Sequence, residues 1–144
     1  ALSNIASDDD TIIIHDAARP FVSAETITAL VKACKMHDGA MPALPVKDTM
    51  YIRKGDKVHS LIDRDTIILG QAPEAFLYKK YLNANEVLLP EKILSIKGST
   101  EPAFMAGMDV AVIDGDENNF KITTKQDLVR YIQIKSGNNE SIRT

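Results

Sequence analysis

Thr11-Ile12-Ile13-Ile14 is a continuous β-branched run with no alternation of polar and apolar residues. Such a run predicts a strand buried on both faces, as in a parallel sheet. Ser23 can cap the segment that follows. In it Ile27, Leu30, Val31 and Cys34 fall at i, i+3, i+4 and i+7, which makes one apolar helical stripe. Asp38-Gly39 ends that pattern, and Ala40–Leu44 supplies a second short apolar stretch. Strand, helix and strand in so short a span form a βαβ unit, whose crossover is right-handed. The chain is therefore expected to build an α/β layered sheet.

The pattern changes at Asp48. Thr49–Arg53 and Lys57–Ile62 flank Lys54-Gly55-Asp56, a hairpin signal. Met50, Ile52 and Val58 give only weak apolar alternation on a very polar ribbon, and an isolated two-stranded ribbon is marginal in water. Nothing nearby in sequence offers it a large apolar face, so a partner subunit is expected to cover it. Ile67–Phe76 reads as a strand interrupted by Pro73, and Leu77–Asn83 as a short helix, while Leu88–Ile96 is ambiguous. Thr100-Glu101-Pro102 opens a helix through Gly107, because proline suits a first turn. Asp109–Ile113 and Phe120–Thr123 read as strands. Thr124-Lys125-Gln126-Asp127 resembles a capping box, with Leu128, Tyr131 and Ile132 on the buried face of the last helix. Ala1–Ala6 reads as the end of a helix, and Ser136–Thr144 as a polar tail.

The 144 residues are the size of one domain. With 44% hydrophobic and 26% charged residues, a disordered, collagenous or disulfide-scaffold chain is excluded. No apolar run approaches the roughly 18 residues of a membrane span, and no secretory signal is visible. The single cysteine, Cys34, has no internal partner, which fits a reducing cytoplasm. A net charge of −3, from 17 Lys and Arg against 20 Asp and Glu, argues against duplex nucleic acid as the main partner. Cations for an anionic small substrate must then be local.

Three constellations could carry chemistry. In His15-Asp16-Ala17-Ala18-Arg19-Pro20, directly after the first strand, Asp16 lies where open sheets bind ligands and can hold Mg²⁺ beside phosphate oxygens. Arg19 can fork onto a phosphate or carboxylate. Alternatively Asp16 satisfies loop amides and Arg19 is a solvated charge. The second constellation is Lys47, Asp48 and Thr49 with Asp63 and Arg64, gathered at the open end of the hairpin. They suit an anion, or they are charges that keep an edge ribbon from aggregating. The third is Asn118–Thr123, where Lys121 sits in a short segment whose flanking Phe120 and Ile122 point the other way. A lysine there calls for an anion. Thr100, at a helix start, adds amide donors, or is an ordinary cap. His15, His37 and His59 lack metal-ligand spacing, and none of the seven glycines pair into a phosphate-cradling loop.

Taken in order, Ile14-His15-Asp16-Ala17-Ala18-Arg19-Pro20-Phe21, Leu44-Pro45-Val46-Lys47-Asp48-Thr49, Ile62-Asp63-Arg64, Gln71-Ala72-Pro73-Glu74-Ala75-Phe76 and Asn119-Phe120-Lys121-Ile122-Thr123 resemble the 2-C-methyl-D-erythritol 4-phosphate cytidylyltransferase family, over residues 1 to 134. The resemblance implies a Rossmann-like nucleotidyltransferase sheet and a CTP-dependent transfer of CMP to a polyol phosphate in isoprenoid precursor synthesis. It implies that Asp16 helps hold Mg²⁺ against the CTP phosphates. Arg19, Thr49, Arg64, Thr100 and Lys121 would bind the acceptor, with Arg64 and Lys121 positioning its phosphate for attack. Residues 46–66 would be a β-arm clasping a second subunit, so that Thr49 and Arg64 serve the neighbour's site in a homodimer. The family's Gly-rich CTP loop has no counterpart here, so the chain reads as the C-terminal portion, residues 1–135, of a longer enzyme and as inactive alone.

Two departures bear on the acceptor. Gln71-Ala72-Pro73-Glu74 stands where the family usually has Gln-Thr-Pro-Gln, and Thr100-Glu101 where it has Thr-Asp. Gly70-Gln71 and Lys121-Ile122-Thr123-Thr124 also resemble ribitol-5-phosphate cytidylyltransferases of teichoic-acid and capsule synthesis. A reading from another class is a non-catalytic dimerisation or binding module.

Overall fold

Local chemistry explains where most elements start and stop. A computed structural model describes residues 7–140, with side chains to residue 137; the expected helix end at Ala1–Ala6 lies outside them. Ser23 caps the first helix as expected, its hydroxyl accepting from the Thr26 amide at 3.1 Å. The elements in order are β1 (Thr11–Ile14), α1 (Ala24–Ala33), β2 (Gly39–Pro45), β3 (Met50–Lys54), β4 (Lys57–Ile62), β5 (Ile68–Gly70), β6 (Glu74–Leu77), α2 (Tyr78–Glu86), α3 (Thr100–Met105), β7 (Val110–Asp114) and α4 (Lys125–Glu140).

The main sheet is mixed. Its order is β1-β6-β2-β5, with β7 pairing β2. β2 and β7 are parallel, from Gly39↔Val110 to Ala43↔Asp114. β6 runs antiparallel to both β1 and β2, so β1 and β2 point the same way on either side of it. The βαβ unit thus exists, but its strands are not neighbours, and β1 is not buried on both faces: Ile13 is 38% exposed and β6 alone pairs with β1 among the described residues. Periodicity reports burial and is blind to which strand will slot in between.

The predicted strand Ile67–Phe76 is two strands. Proline cannot donate to a ladder, and the chain breaks at Gln71-Ala72-Pro73, after which β6 enters the sheet centre. Side-chain alternation along β6 sends Ala75 and Leu77 towards α1, where they meet Leu30, Cys34, Ala40 and Ile113. Phe76 packs on the other face with Tyr81, Ala103, Ile12 and Val110, its ring stacked on Tyr81 at 4.4 Å between centroids. On α1 the buried side is carried by Thr26 and Leu30 and continued by the C-cap Cys34, and Val31 lies at its exposed margin.

β3 and β4 form a separate two-stranded ribbon. Its turn needs Gly55, whose φ is +61°, at the first central position, where a residue with a Cβ would be strained. Tyr51, Ile52, Val58 and Leu61 all stand exposed on it. The last helix begins at the predicted box: the Asp127 amide donates to Thr124 Oγ1 at 3.2 Å, and Asp127 Oδ2 accepts from the amide of Thr124 at 2.8 Å. Leu128 and Ile132 are not buried as expected. The helix docks instead through Tyr131 on Phe21 and Arg130 over Phe120, so its apolar stripe faces outward. It also runs on to Glu140, past the expected tail boundary at Ser136.

Candidate active site

The parallel strands β2 and β7, and β1 with them, end at one rim of the sheet, and there chain reversals deliver the charged residues. Open α/β sheets bind ligands at this rim. The loop after β1 turns back on itself: the Arg19 amide donates to Asp16 O at 2.9 Å, and His15 Nε2 donates to Arg19 O at 3.0 Å. That turn aims Arg19 at Asp16, with Nε 3.5 Å from Asp16 Oδ2. Lys121 reaches the same carboxylate from the loop after β7, its Nζ 3.0 Å from Asp16 Oδ2.

The Asp16 carboxyl is held below its ordinary range. The hydrogen bond from Lys121 is the largest cause, partial burial opposes it, and the charges of Lys121 and Arg19 add to it. The cluster carries two cations against one anion, so it keeps an excess of positive charge. Arg19 is 13% exposed, whereas Asp16 and Lys121 are 38% and 45% exposed. Lys121 and Asp16 can therefore meet a ligand, while Arg19 is held from behind by Asn119 O, which accepts from its Nη1 at 2.6 Å.

Residues 120–123 form no strand, contrary to expectation. One backbone bond, from the Ile122 amide to Ala18 O at 2.8 Å, knits this segment to the loop after β1. The exposed character of Lys121 then follows from a coil crossing the rim.

Thr49 and Arg64 sit elsewhere, at the open end of the ribbon. They line a hollow of about 250 Å³ with Leu61, Ile62, Asp63 and Asp65. Arg64 Nη1 donates to Lys47 O at 2.8 Å, so the two ends of the hairpin meet, but of the expected group only Thr49, Asp63 and Arg64 line the hollow. The Lys47 ammonium itself is paired with Glu117. Thr100 occupies a third place, where it and Ser99 both donate to the buried Glu74 carboxylate, Thr100 Oγ1 at 2.8 Å. α3 is too short to supply an anion site from its dipole, and a carboxylate already occupies the hydroxyl of Thr100. Thus Asp16, Arg19 and Lys121 share one cluster, and Thr49 with Arg64 share another.

A sequence profile of the family described as IspD, 2-C-methyl-D-erythritol 4-phosphate cytidylyltransferase, matches residues 1–134. The chain belongs to that family. Among its relatives, the bifunctional enzyme IspD/IspF of Dinoroseobacter shibae is 37% identical over the whole chain and 35% of the relative's length. The 2-C-methyl-D-erythritol 4-phosphate cytidylyltransferase of Geobacter metallireducens is 34% identical over 90% of the chain and 55% of its own length. The chain thus spans about a third to a half of these curated relatives. Among solved structures, the cytidylyltransferase of Thermus thermophilus superposes with a TM-score of 0.77 at 30% identity, covering 89% of this chain and 62% of that one. The Francisella tularensis enzyme gives 0.81 at 26% identity over 92% and 63%. The sheet is therefore the Rossmann-like nucleotidyltransferase fold of the IspD family.

Two residues that hold this IspD-family site together escaped the sequence reading of roles. Gln71 and Asn119 are both buried amides. Gln71 grips Asp116 at both ends: its Nε2 donates to Asp116 O at 2.9 Å, and its Oε1 accepts from the Asp116 amide at 3.1 Å. Asn119 Nδ2 donates to Ala72 O at 2.8 Å. Gly115 is required beside them, since a Cβ there would lie 2.8 Å from Gln71 Oε1 and 2.9 Å from Ala43 O. The available signal was an amide residue at each end of irregular chain, next to Pro73 and after the Gly115-Asp116 turn.

Proposed function

We infer that the protein carrying this chain transfers CMP from CTP to 2-C-methyl-D-erythritol 4-phosphate and releases pyrophosphate, a step of isoprenoid precursor synthesis. The observation that carries the reading is the cation-rich Asp16–Arg19–Lys121 cluster at the ligand-binding rim of a chain in this family. In the reaction an oxygen of the acceptor phosphate attacks the α-phosphorus in line. A new phosphoanhydride bond forms, the α–β bond breaks, and the electron pair leaves on pyrophosphate. The acceptor is already anionic, so no covalent nucleophile is needed; the protein positions two polyanions and offsets their charge.

Each residue has a place in that scheme. The Lys121 ammonium orients the acceptor phosphate and counters the charge that repels attack. Arg19 supports Asp16 and adds positive potential. Thr100, whose hydroxyl proton is directed at Glu74, offers an oxygen to a polyol hydroxyl. Thr49 and Arg64, carried on the ribbon, reach the acceptor bound by a second copy of the chain. The exposed Tyr51, Ile52, Val58 and Leu61 support a ribbon that is clasped by that copy in a homodimer.

Asp16 fits a Mg²⁺ site of the kind completed by substrate. Mg²⁺ is usually held by one or two carboxylates with phosphate oxygens and waters. Asp16 offers one partly exposed carboxylate, and no group of three or more potential ligands exists among the described residues. When bound, the ion would supply charge neutralisation at the CTP phosphates. Among the described residues no helix is long and apolar enough to cross a membrane, and with its buried free thiol Cys34 suits a reducing cytoplasm.

The test is pyrophosphate release from CTP by the protein expressed from its whole reading frame. Release with 2-C-methyl-D-erythritol 4-phosphate is expected. Release with ribitol 5-phosphate instead would change the acceptor. Release with neither would remove the enzyme reading and favour a binding module.

A further inference from the structure

Lys121 must be placed precisely enough to meet a phosphate, yet the segment that carries it has no sheet or helix partner. Residues 115–124 cross the rim as turns and coil. Their conformation has to come from individual hydrogen bonds, and between β7 and Lys121 several of these meet at Asn119. We propose that Asn119, seated against Gln71, is a positioning residue that sets Arg19 and Lys121 without touching either reactant. This rests on the reading above that the cluster receives the reactants' phosphates.

Asn119 is 1% exposed. Its side chain donates to Ala72 O, in the break between β5 and β6. Its main-chain carbonyl accepts from Arg19 Nη1 at 2.6 Å and lies 3.5 Å from Gln71 Nε2. Gln71 meanwhile clamps Asp116 at both ends, three residues upstream. Asn119 thereby fixes the guanidinium that stands behind Asp16, and it fixes the start of the two-residue step to Lys121. Beyond Lys121 the segment is pinned again, by the Ile122 amide on Ala18 O and by Asp127 at the helix cap.

The hydrogen-bond accounting of Asn119 favours placement over stability. Its Nδ2 is bonded, but Oδ1 is buried without a donor. A buried acceptor left unmade costs at least as much as one bond contributes, so the amide's own hydrogen bonds add little net stability. Arg19 Nε is likewise buried without a hydrogen bond, facing Asp16 at 3.5 Å. The guanidinium is thus held between the Asn119 carbonyl, its shorter contact at 2.6 Å, and the looser ion pair with Asp16, so the carbonyl sets the angle at which it faces the carboxylate.

The experiment is a double-mutant cycle with a second readout that needs no turnover. In the protein expressed from its whole reading frame, Asn119→Ala is expected to lower kcat/KM for the polyol phosphate by about a hundredfold, the scale of an ångström of misplacement. In an Arg19→Ala background the same change should cost about tenfold or less, because the part of the loss that acts through Arg19 is already gone and only the part through Lys121 remains. Equal losses in both backgrounds would overturn the proposal, since a purely structural role acts regardless of Arg19. The second readout is the exchange rate of the Arg19 guanidinium protons by NMR. Asn119→Ala should speed it at least about tenfold while amide protection in the Leu30 and Phe76 core is unchanged. Unchanged Arg19 exchange would refute the placement even if the protein turned over no substrate. Should Asn119→Ala fail to fold, Gln71→Glu, which removes the donor to Asp116 and keeps the acceptor, is expected to give the same pattern at smaller size. An additive cycle there would equally refute it.

Discussion

Replacing Lys121 by methionine keeps much of the side-chain stem and removes the ammonium. In the folded chain that ammonium lies 3.0 Å from Asp16 Oδ2. At this separation two unit charges attract by about 1.4 kcal/mol in bulk water and about 5.5 kcal/mol at an effective dielectric of 20. The low figure governs, because both side chains are more than a third exposed. Screening and the entropy of ordering two side chains reduce such pairs to about 1 kcal/mol or less. Asp16 is not stranded by the change either, since Arg19 stays beside it and water reaches it. Lys121→Met should therefore shift unfolding by less than about 1 kcal/mol. Loss of a charged contact to a phosphate is worth about 1.5–3 kcal/mol, so kcat/KM for the acceptor should fall by about 10- to 150-fold, with KM raised and kcat lowered. The Asp16 carboxyl, deprived of its main hydrogen bond, should titrate closer to the ordinary carboxylate range. Urea unfolding, steady-state pyrophosphate release and a carbon-detected pH titration measure these three effects. A variant that mainly unfolds, or one that turns over normally, would show that Lys121 is structural or idle.

Other outcomes follow from the same geometry. Deleting residues 49–62 should leave a monomer by sedimentation with the main sheet intact, as the ribbon pairs only within itself among the described residues; a surviving dimer would refute the arm. Asp127 has its carboxyl pulled down to about 2, chiefly by the Thr123 amide and then by Thr124. A depressed pKa gives stability that is present above the unfolded value of 3.8 and lost as pH falls through about 2, so α4 amides should lose exchange protection across that window. Thr124→Ala should remove the cap and cost about 1 kcal/mol, read as fraying at Lys125–Leu128 by NMR. Phe76→Ala should cost about 3–5 kcal/mol in chemical unfolding, because Phe76 is fully buried and stacked on Tyr81; a cost under about 1 kcal/mol would mean that the core is packed differently.

The sequence was most legible where one local interaction decides the outcome. Ser23, Gly55 and the Thr124–Asp127 box each set an end or a turn through their own hydrogen bonds or φ, and each stands where the pattern places it. The resemblance, and not the local pattern, put Asp16, Arg19 and Lys121 in one site: residue by residue they fell in two groups, with Lys121 inside an expected strand, and they meet because the loops after β1 and β7 cross the same rim. What the pattern could not carry was strand order. Glu74–Leu77 slots between β1 and β2 through pairings with Ile12, Ala40 and their neighbours, and nothing local to any of those strands encodes that choice. The outward apolar face of α4 failed for a related reason. A helical stripe reports a tendency to be covered, and here Phe21, Phe120 and Tyr131 provide the docking instead.

Irregular segments supply every member of the cluster, and this has an energetic consequence. Strand and helix residues inherit their geometry from ladders of equivalent bonds, so losing one bond leaves the rest to hold the shape. The loops that carry Asp16, Arg19 and Lys121 have few bonds each, and several are made by the buried side chains of Gln71 and Asn119 and by the Asn119 main-chain carbonyl. Such a network is cooperative, and breaking one member exposes the others to water. Sensitivity of function to substitution should then track the buried amides as closely as the exposed charges. A residue such as Arg53, which is exposed on the ribbon away from the rim, carries the same formal charge as Arg19 and none of its bracing. The distinction between a site cation and a surface cation in this chain lies in what holds the side chain from behind.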